Sequence, residues 1–216
     1  MSGVKKSLMK SIIIYKSVKQ MKICFYCVII LIGGIMFIKR YSNPNSYSDI
    51  LMSSDGEYLT GLWFIDTNDD LKHKNNYIEK DLPIFNQTIK WLDIYFSGKN
   101  PEFTPKYKIE NLTPFRKKVI DMMNEIPYGE VVTYKDIAKK IDKKMSSQAV
   151  GGAVGWNPIC IIIPCHRVVG TNRSLTGYGG GIKNKINLLK IEKNDMNKFK
   201  IPTKGNKIWK DVNGAI

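Results

Sequence analysis

A cysteine and a histidine stand next to each other at Cys165 and His166, after the apolar run of residues 159–163 and Pro164. A thiolate is a strong nucleophile, but a free cysteine with a pKa of about 8.5 is only a few per cent ionised at neutral pH. A base near the thiol would raise the ionised fraction. Adjacent side chains can point apart, so the pair predicts a turn facing one pocket rather than a direct contact. Ordinary packing is the alternative, because a lone cysteine is usually a small buried hydrophobe.

Three predicted helices precede this turn and must position it. Thr113 caps the first helix, with Pro114 at its first position, and that helix extends to about Asn124. The second follows Thr133, which forms a capping-box-like pair with Asp136. Its buried side is predicted to hold Ile137, Ala138 and Ile141, and Asn157-Pro158 is a predicted turn before the apolar run.

The third helix is predicted from Ser147 to about Gly155, after a turn over residues 143–146. Two short helices joined by a brief turn are typical of a helix-turn-helix, although many helical hairpins serve only to pack. The third helix is unusually rich in small residues, and each glycine costs about 1 kcal/mol of helix propensity relative to alanine. Either a neighbouring helix packs closely against it, or its surface fits into a narrow groove.

The N-terminal half is predicted to be a small mixed α/β unit. A hairpin turn at residues 54–56 joins strands over about 49–53 and 58–65. Ile89, Leu92 and Phe96 recur at helical spacing, and Gly98 is placed to end that helix. Residues 99–114 contain three prolines and are predicted to form a linker with at most one short strand.

The chain carries a formal net charge of +15, and the excess is uneven along the sequence. Residues 116–190 hold 13 Lys or Arg against 5 Asp or Glu, whereas acidic residues outnumber basic ones over residues 41–115. A basic half joined to an acidic half favours contact with a polyanion through one face. A solubilising lysine-rich surface would give the same totals.

The first forty residues contain a sixteen-residue uncharged segment, residues 23–38, which is short for a membrane-spanning helix of about 18 or more residues. It is either a membrane tether or the result of an upstream start, with translation beginning at Met36. The second interpretation is favoured, and it predicts a cytoplasmic protein. The four cysteines do not form a disulfide framework in a chain of this length, and with only His73 and His166 present no metal site is expected.

Five ordered blocks resemble one protein family. "PYGEVVTYKDIA", "QAVGGAVGWNP", "PCHRV" and "GYGGGIKNKINLLKIE" are similar to the active-site region of the O6-alkylguanine-DNA alkyltransferases, over about residues 113–192. "SDGEYLTGLWF" resembles the hairpin of the N-terminal domain of that family, although this match is weaker.

The resemblance implies an α/β (α+β) fold in two domains. A ribonuclease H-like α/β domain with a β-hairpin sheet is expected over residues 36–105. A mainly helical, DNA-binding alkyltransferase domain with the helix-turn-helix and the active-site cysteine is expected over residues 106–193. Residues 1–35 would be a hydrophobic extension, and residues 194–216 a basic tail.

The family also implies a role for each matched residue. Cys165 would accept the alkyl group, and His166, bridged to the thiol by a water and backed by Glu192, would remove the proton. Tyr134 would assist the leaving guanine and rotate a DNA phosphate, and Asn157 would fix the hinge before the active-site segment. The residues expected to contact the DNA or the alkylated base are Thr133, Tyr134, Ser147, Gln148, Ala149, Gly151, Gly152, Arg167, Val168, Tyr178, Gly179, Gly180 and Lys185.

The implied activity is DNA repair by irreversible, single-turnover transfer of an alkyl group from O6-alkylguanine to Cys165, without a cofactor. The implied partner is double-stranded DNA, bound through its minor groove with the damaged base flipped out, and no obligate protein partner is expected. Gln148 departs from the family, many of whose members have an arginine that fills the space of the flipped base. Two other functions stay open: binding of alkylated bases without transfer, and a cysteine hydrolase. The sequence leaves open the preferred alkyl size and activity on O4-alkylthymine.

Overall fold

A four-stranded sheet forms the N-terminal part of the computed structural model, which describes residues 36–43, 47–69 and 77–201. Its strands are β1 (Met36–Tyr41), β2 (Ile50–Ser54), β3 (Leu59–Phe64) and β4 (Tyr77–Glu79). Their order in the sheet is β3-β2-β1-β4, and only the β1–β4 pair is parallel. The predicted α/β class is confirmed.

The hairpin between β2 and β3 is held by side chains of its own turn. The carboxylate of Asp55 accepts hydrogen bonds from the backbone nitrogens of Glu57 and Tyr58, at 3.1 and 2.8 Å. Gly56 adopts a positive φ of 111°, a conformation that glycine tolerates because it has no Cβ. The predicted hairpin is therefore present, and each strand lies within one residue of its expected bounds.

Strand β1 was not anticipated from the sequence. It takes up the last three residues of the apolar segment 23–38, and Phe37 faces the core at 8% exposure. The rest of that segment lies outside the described residues, so the extension over residues 1–35 stays a prediction. Among the described residues no helix is long and apolar enough to cross a bilayer.

Helix α1 (Pro83–Phe96) lies against this sheet with Leu92 and Tyr95 completely buried. The hydroxyl of Tyr41 in β1 donates to Asp93 at 2.9 Å, which ties the helix to the strand. Gly98 follows the helix with a φ of 80°, so its predicted role in ending the helix is confirmed.

Three capped helices follow: α2 (Pro114–Asn124), α3 (Tyr134–Ile141) and α4 (Ser147–Gly155). Thr133 and Asp136 form the predicted capping box, and Ser146 caps α4 by accepting from the backbone nitrogen of Gln148 at 3.1 Å. Helices α3 and α4 contact each other across a short turn, as a helix-turn-helix requires. One detail differs: Ile137 and Ala138 are buried as predicted, but Ile141, the last residue of its helix, is only partly buried.

The segment that carries Cys165 is attached to the edge of the N-terminal sheet. Leu62 in β3 donates to the carbonyl of Pro158 at 2.9 Å and accepts from the backbone nitrogen of Cys160 at 2.8 Å. The described residues from Met36 onward form one compact unit. The domain boundary expected near residue 105 stays a prediction, and within the expected linker Tyr107 forms a single bridge to Leu59.

A two-stranded parallel pair and a last helix complete the framework. Strands β5 (Val132–Thr133) and β6 (Val168–Val169) lie directly before α3 and after the Cys165 turn, and so bring these two segments together. Helix α5 (Ile182–Ile191) follows. The start of the predicted tail packs back onto the chain, since Leu175 donates to the carbonyl of Lys200 at 2.9 Å, and residues beyond 201 lie outside the description.

We expect Gly61→Ala to destabilise the fold. A Cβ at this buried position in β3 would lie 2.9 Å from Cε3 of Trp63 and closer still to Cζ3, and Trp63 is itself only 1% exposed. Overpacking of this kind costs about 1–3 kcal/mol. Urea denaturation measures the effect.

Gly152→Ala is the matched control, because a Cβ there meets nothing within 4 Å and the residue lies on an exposed helix face. Helix propensity predicts a gain of up to about 1 kcal/mol for this variant. Equal losses of unfolding free energy in the two variants would contradict the packing argument.

Candidate active site

Cys165 begins a short 3-10 turn, Cys165–Arg167, and its side chain is buried at 5% exposure. The side-chain nitrogen of Asn157 donates to its sulfur at 3.1 Å and to the carbonyl of Ile163 at 2.9 Å. The side-chain oxygen of Asn157 accepts from the backbone nitrogen of Ile159 at 3.0 Å. One amide therefore fixes the path of the chain into the turn and also contacts the sulfur.

The surroundings of Cys165 favour its ionised form. The neighbouring thiol of Cys160 lowers the pKa of the Cys165 thiol, and although burial opposes this change, the hydrogen bond from Asn157 and the positive charge of Lys185 add to it. Hydrogen bonds that are made to the charged form of a group stabilise that form. The thiolate is therefore more populated near neutral pH than in a free cysteine.

His166 points to a buried carboxylate. Its Nε2 lies 2.8 Å from Oε1 of Glu192, and both side chains are completely buried. Burial alone would raise the pKa of Glu192, but its contacts with His166 and Arg167 outweigh burial and lower the pKa to about 2. An ionised carboxylate only accepts hydrogen bonds, so Nε2 carries the proton.

The other ring nitrogen, Nδ1, is then the basic atom of a neutral imidazole. Burial lowers the pKa of His166, and the nearby negative charge of Glu192 opposes this only in part. Nδ1 is buried and has no hydrogen-bond partner among the described residues. The ring is thus held as a neutral base whose free lone pair lies on the side away from Glu192.

Arg167 lies inside the protein rather than on a surface. Its guanidinium donates to both carboxylate oxygens of Glu192, at 2.8 to 3.0 Å, and to the carbonyl of Ile126 at 2.7 Å. At 9% exposure, its donors are directed inward, a position that does not favour the expected contact with DNA. Val168 is also fully buried, in β6, where its backbone pairs with Val132.

A small cavity lies beside the sulfur of Cys165. Its volume is about 10 Å³, enough for roughly one water molecule. The residues around it come from the loop after β3, from α3, α4 and the Cys165 segment, and from the glycine-rich loop before α5. They are Asp69, Tyr134, Val154, Gly155, Asn157, Cys160, Cys165, Gly177, Tyr178 and Gly179.

Two tyrosines form part of this wall. Burial raises the pKa of Tyr134 to about 12, and the nearby charge of Cys165 adds to the effect, so its hydroxyl is a hydrogen-bond donor at neutral pH. That hydroxyl donates to the carbonyl of Thr176 at 3.4 Å. Burial also raises the pKa of Tyr178, whose hydroxyl has no hydrogen-bond partner among the described residues.

Lys185 and Gly180 support the wall from behind. Lys185 is fully buried, donates to the carbonyl of Val168 at 2.7 Å and lies over the ring of Tyr178. Burial lowers the pKa of Lys185 to about 8, although the charge of Cys165 opposes this change. Gly180 is buried, and a Cβ there would lie 2.8 Å from the ring of Tyr178 and 2.9 Å from that of Phe64.

An open groove of about 670 Å³ continues outward from the cavity, and Tyr134 and Gly177 line both. The small-residue side of α4 forms one wall, and the loops around residues 170 and 176 form the other. Its lining comprises Tyr134, Lys135, Ser147, Gln148, Gly151, Gly152, Gly170, Thr171, Thr176 and Gly177. Thr133 and Ala149 are not part of this lining; Thr133 is half-buried and Ala149 is exposed.

Apart from Thr133 and Ala149, the predicted residues fall into three places. Asn157, Cys165, Tyr178 and Gly179 line the cavity, and Tyr134 lines both cavity and groove. Ser147, Gln148, Gly151 and Gly152 line the groove alone. The buried support consists of His166, Arg167, Val168, Gly180, Lys185 and Glu192.

Three residues at the site were missed by sequence reasoning. Tyr95 in α1 is completely buried, and its hydroxyl donates to Oε1 of Glu192 at 2.8 Å. Asp69 and Cys160 line the cavity. Tyr95 looks like any core aromatic in the helical pattern, and Asp69 lies in a polar loop. Cys160 was visible five residues before Cys165, and two nearby cysteines were the one usable signal.

Comparison with known proteins identifies the family. Residues 114–194 match the family described as 6-O-methylguanine DNA methyltransferase, DNA binding domain. Two similar proteins are named methylated-DNA–protein-cysteine methyltransferase. The one from Haemophilus influenzae is 37% identical over 69% of this chain and 83% of its own length, and the one from Methanosarcina acetivorans is 41% identical over 73% and 98%.

Solved structures agree with these relatives. The OGT protein of Mycobacterium tuberculosis, solved in complex with DNA, superposes with a TM-score of 0.64 at 33% identity, over 76% of this chain and 94% of that one. The O6-methylguanine-DNA methyltransferase of Pyrococcus kodakaraensis gives a TM-score of 0.53 at 25% identity, over 73% and 99%. By sequence and by fold, the chain belongs to the family of methylated-DNA–protein-cysteine methyltransferases.

Proposed function

We propose that this protein repairs alkylated DNA by transferring the alkyl group from O6 of guanine to the sulfur of Cys165. The observation that carries the proposal is a buried cysteine of lowered pKa at the inner end of a groove walled by a small-residue helix. Transfer to a thiolate needs an ionised sulfur and a route by which the base reaches it, and the groove that leads to the cavity supports such a route. The family relationship supports the same chemistry.

The thiolate forms when His166 removes the proton of Cys165 through a bridging water. The free Nδ1 of a neutral imidazole supports this role, since a base needs a lone pair that no other donor occupies. Glu192 keeps the other nitrogen protonated and stabilises the charged ring once it has accepted the proton. Asn157 and Lys185 lower the free energy of the thiolate.

The leaving group is a guanine anion that must receive a hydrogen bond. The pKa of Tyr134 is about 12, so its hydroxyl stays protonated at neutral pH and can donate this hydrogen bond at the mouth of the cavity. Backbone N–H groups of the loop at residues 177–180 are further donors. The alkyl carbon moves from O6 of guanine to the sulfur of Cys165, and the electron pair of the broken C–O bond stays on guanine.

The product is a thioether, and no group at the site can hydrolyse a carbon–sulfur bond. Each chain therefore acts once. Because the cavity has room for roughly one water, an added alkyl group overfills it, which destabilises the alkylated protein by about 1–3 kcal/mol.

DNA binds along the groove with its minor groove against α4. Small side chains at Gly151 and Gly152 allow a close approach of the helix backbone, and lysines on the basic half of the chain contact phosphates. The alkylated base leaves the stack at a cost of a few kcal/mol. A purine is far larger than the present cavity, so the loop at residues 177–180 must move outward as the base enters.

The experiment that tests the proposal incubates the purified protein with duplex DNA bearing a labelled O6-methylguanine. We expect one label per chain, located on Cys165 by mass spectrometry. Repeated turnover would support a hydrolase instead, and binding without label would support a protein that only recognises damage.

Cys165→Ala should abolish transfer while leaving DNA affinity close to that of the parent protein. The substitution removes the nucleophile and leaves the groove intact. Gel-shift titration and the labelled-DNA assay measure the two properties separately. Residual transfer in this variant would show that another residue accepts the alkyl group.

Gln148→Arg should increase the rate of repair in duplex DNA. Gln148 is exposed at the groove, and an arginine there adds charge and stacking surface to fill the space of the flipped base. The free base O6-methylguanine, which needs no flipping, is the control substrate and should react at the parent rate. A similar change with both substrates would argue against a role in base extrusion.

Tyr95→Phe should slow transfer by roughly fivefold, which corresponds to about 1 kcal/mol for one lost hydrogen bond. The variant keeps the buried ring but removes the hydroxyl that donates to Glu192 and lies 3.3 Å from Nε2 of His166. Single-turnover kinetics on methylated duplex DNA measure the effect.

Tyr128→Phe is the matched control, because that hydroxyl donates to the backbone carbonyl of Ile191 and not to the Glu192 side chain. We expect this variant to transfer at close to the parent rate. Equal rates for the two variants would remove the assigned role of Tyr95.

A further inference from the structure

The tail segment, residues 195–200, packs on the wall loop, residues 170–176, and nothing in the proposed reaction uses it. The wall loop forms the side of the groove opposite α4, since Gly170, Thr171 and Thr176 line the groove. The matched family model ends just before the tail segment. The attachment of this segment to the groove is therefore a feature of the chain outside the matched DNA binding domain.

The wall loop contains two neighbouring residues in the left-handed backbone region. Asn172 has a φ of 56° and Arg173 a φ of 57°. Asparagine adopts this conformation more readily than most residues, but arginine has no such advantage. Both side chains are exposed, so burial of these side chains does not hold them there. Strained residues of this kind persist only where surrounding contacts fix them.

The tail segment supplies backbone contacts on both sides of Ser174. The backbone nitrogen of Lys200 donates to the carbonyl of Arg173 at 3.1 Å, and the nitrogen of Leu175 donates to the carbonyl of Lys200 at 2.9 Å. Ser174 and Lys200 thereby form a parallel bridge. One residue of the tail segment thus fixes the backbone directly after the left-handed pair.

Side chains strengthen this attachment. The guanidinium of Arg173 lies over the ring of Phe199, 5.7 Å from its centroid. Phe199 and Leu175 are both buried, so each segment is anchored beside the bridge. The tail segment is itself held by a short 3-10 turn, Met196–Lys198, which Asp195 caps and which contacts α5. The wall loop is therefore tied, through the tail segment, to a helix of the framework.

We propose that the tail segment positions the wall loop for DNA, by holding it in the shape that accepts the duplex. The inference rests on the proposed function and deepens it. Without this support the wall loop would leave its left-handed conformation part of the time, and only the remaining fraction would bind duplex DNA with full affinity. A free alkylated base does not span the groove, so its reaction at Cys165 should not depend on the tail segment.

Direct contact with phosphates is the alternative role, because Lys198 and Lys200 are exposed. The ammonium of Lys198 lies 3.8 Å from the carboxylate of Asp195, which offsets its charge. The hydrogen bonds that join Lys200 to the wall loop come from its backbone and not from its side chain. Changes to the side chain and to the backbone nitrogen therefore separate the two roles.

Lys200→Pro removes the N–H that donates to the carbonyl of Arg173. Phe199, which precedes it, is extended with φ −109° and ψ 146°, as a residue before proline requires. We expect affinity for duplex DNA to fall about fivefold, as for one lost hydrogen bond. Single-turnover transfer from the free base O6-methylguanine should stay at the parent rate. Gel-shift titration and the transfer assay measure the two properties.

Lys200→Gln is the matched control, because it removes the charge and keeps the backbone nitrogen. We expect this variant to bind duplex DNA about as tightly as the parent. The titrations are repeated over a series of salt concentrations. Loss of a phosphate contact lowers the slope of log affinity against log salt by about one, whereas loss of positioning leaves this slope unchanged.

Phe199→Leu tests the same contact without a proline. It keeps an apolar side chain at the buried position and removes the ring under Arg173. Duplex affinity should fall about twofold, as for one exposed cation–π contact, with no change in reaction of the free base. Thermal denaturation identifies any variant that fails to fold, and Phe199→Leu decides the question if Lys200→Pro is that variant.

Parent-like duplex affinity in the folded variants of Lys200→Pro and Phe199→Leu would overturn the inference. Equal losses in Lys200→Pro and Lys200→Gln, with a lower salt slope, would assign the segment to phosphate contact instead. Parallel losses on duplex DNA and on the free base would show that it supports the whole fold.

The labelled-DNA assay on the parent separates these failures from failure of the proposed function. A parent that binds and transfers, with variants that bind equally well, would refute only the role of the tail segment. A parent that binds duplex DNA without accepting the label would refute alkyl transfer, and the affinities would still decide the inference. A parent that binds no duplex DNA would refute both.

Discussion

The site depends on the hydrogen bonds that the buried carboxylate of Glu192 accepts. It accepts hydrogen bonds from His166, from Arg167, from the hydroxyl of Tyr95 and from the backbone nitrogen of Gly129. These donors come from the Cys165 turn, from helix α1 on the sheet and from the loop after α2, while Glu192 itself follows α5. Loss of Glu192 would leave the buried charge of Arg167 without its partner, which typically costs several kcal/mol.

This network also sets the chemistry of the histidine. Because the pKa of Glu192 is about 2, its carboxylate is ionised near neutral pH and fixes the proton on one ring nitrogen of His166. Burial keeps that ring neutral. The other nitrogen is therefore available as a base near neutral pH. Structural stability and proton transfer thus rest on the same group, and this group is far from the sulfur in sequence.

The thiol has its own, separate environment. Asn157 donates to its sulfur, Cys160 and Asn157 lower its pKa, and the negative charge of Asp69 opposes that change. The small-residue helix α4 forms one wall of the outer groove and has no part in that control. The groove for a polyanion and the residues that activate the sulfur are therefore separate, and they meet at Tyr134.

Local patterns in the sequence determined much of the fold: the hairpin at residues 54–56, the caps at Thr113 and Thr133, the end of α1 at Gly98 and the small-residue helix α4. Such features depend on residues within a few positions of one another, which is why they can be found without a structure. The cysteine, the histidine and the small-residue helix were picked out from their residue types, and resemblance to a family supplied their roles and the other site residues. Tertiary structure alone decided that β1 uses the end of the apolar segment, that Arg167 points inward to Glu192, and that Tyr95, Asp69 and Cys160 reach the site. Each of these outcomes depends on tertiary packing, and no periodic pattern in the sequence marks it.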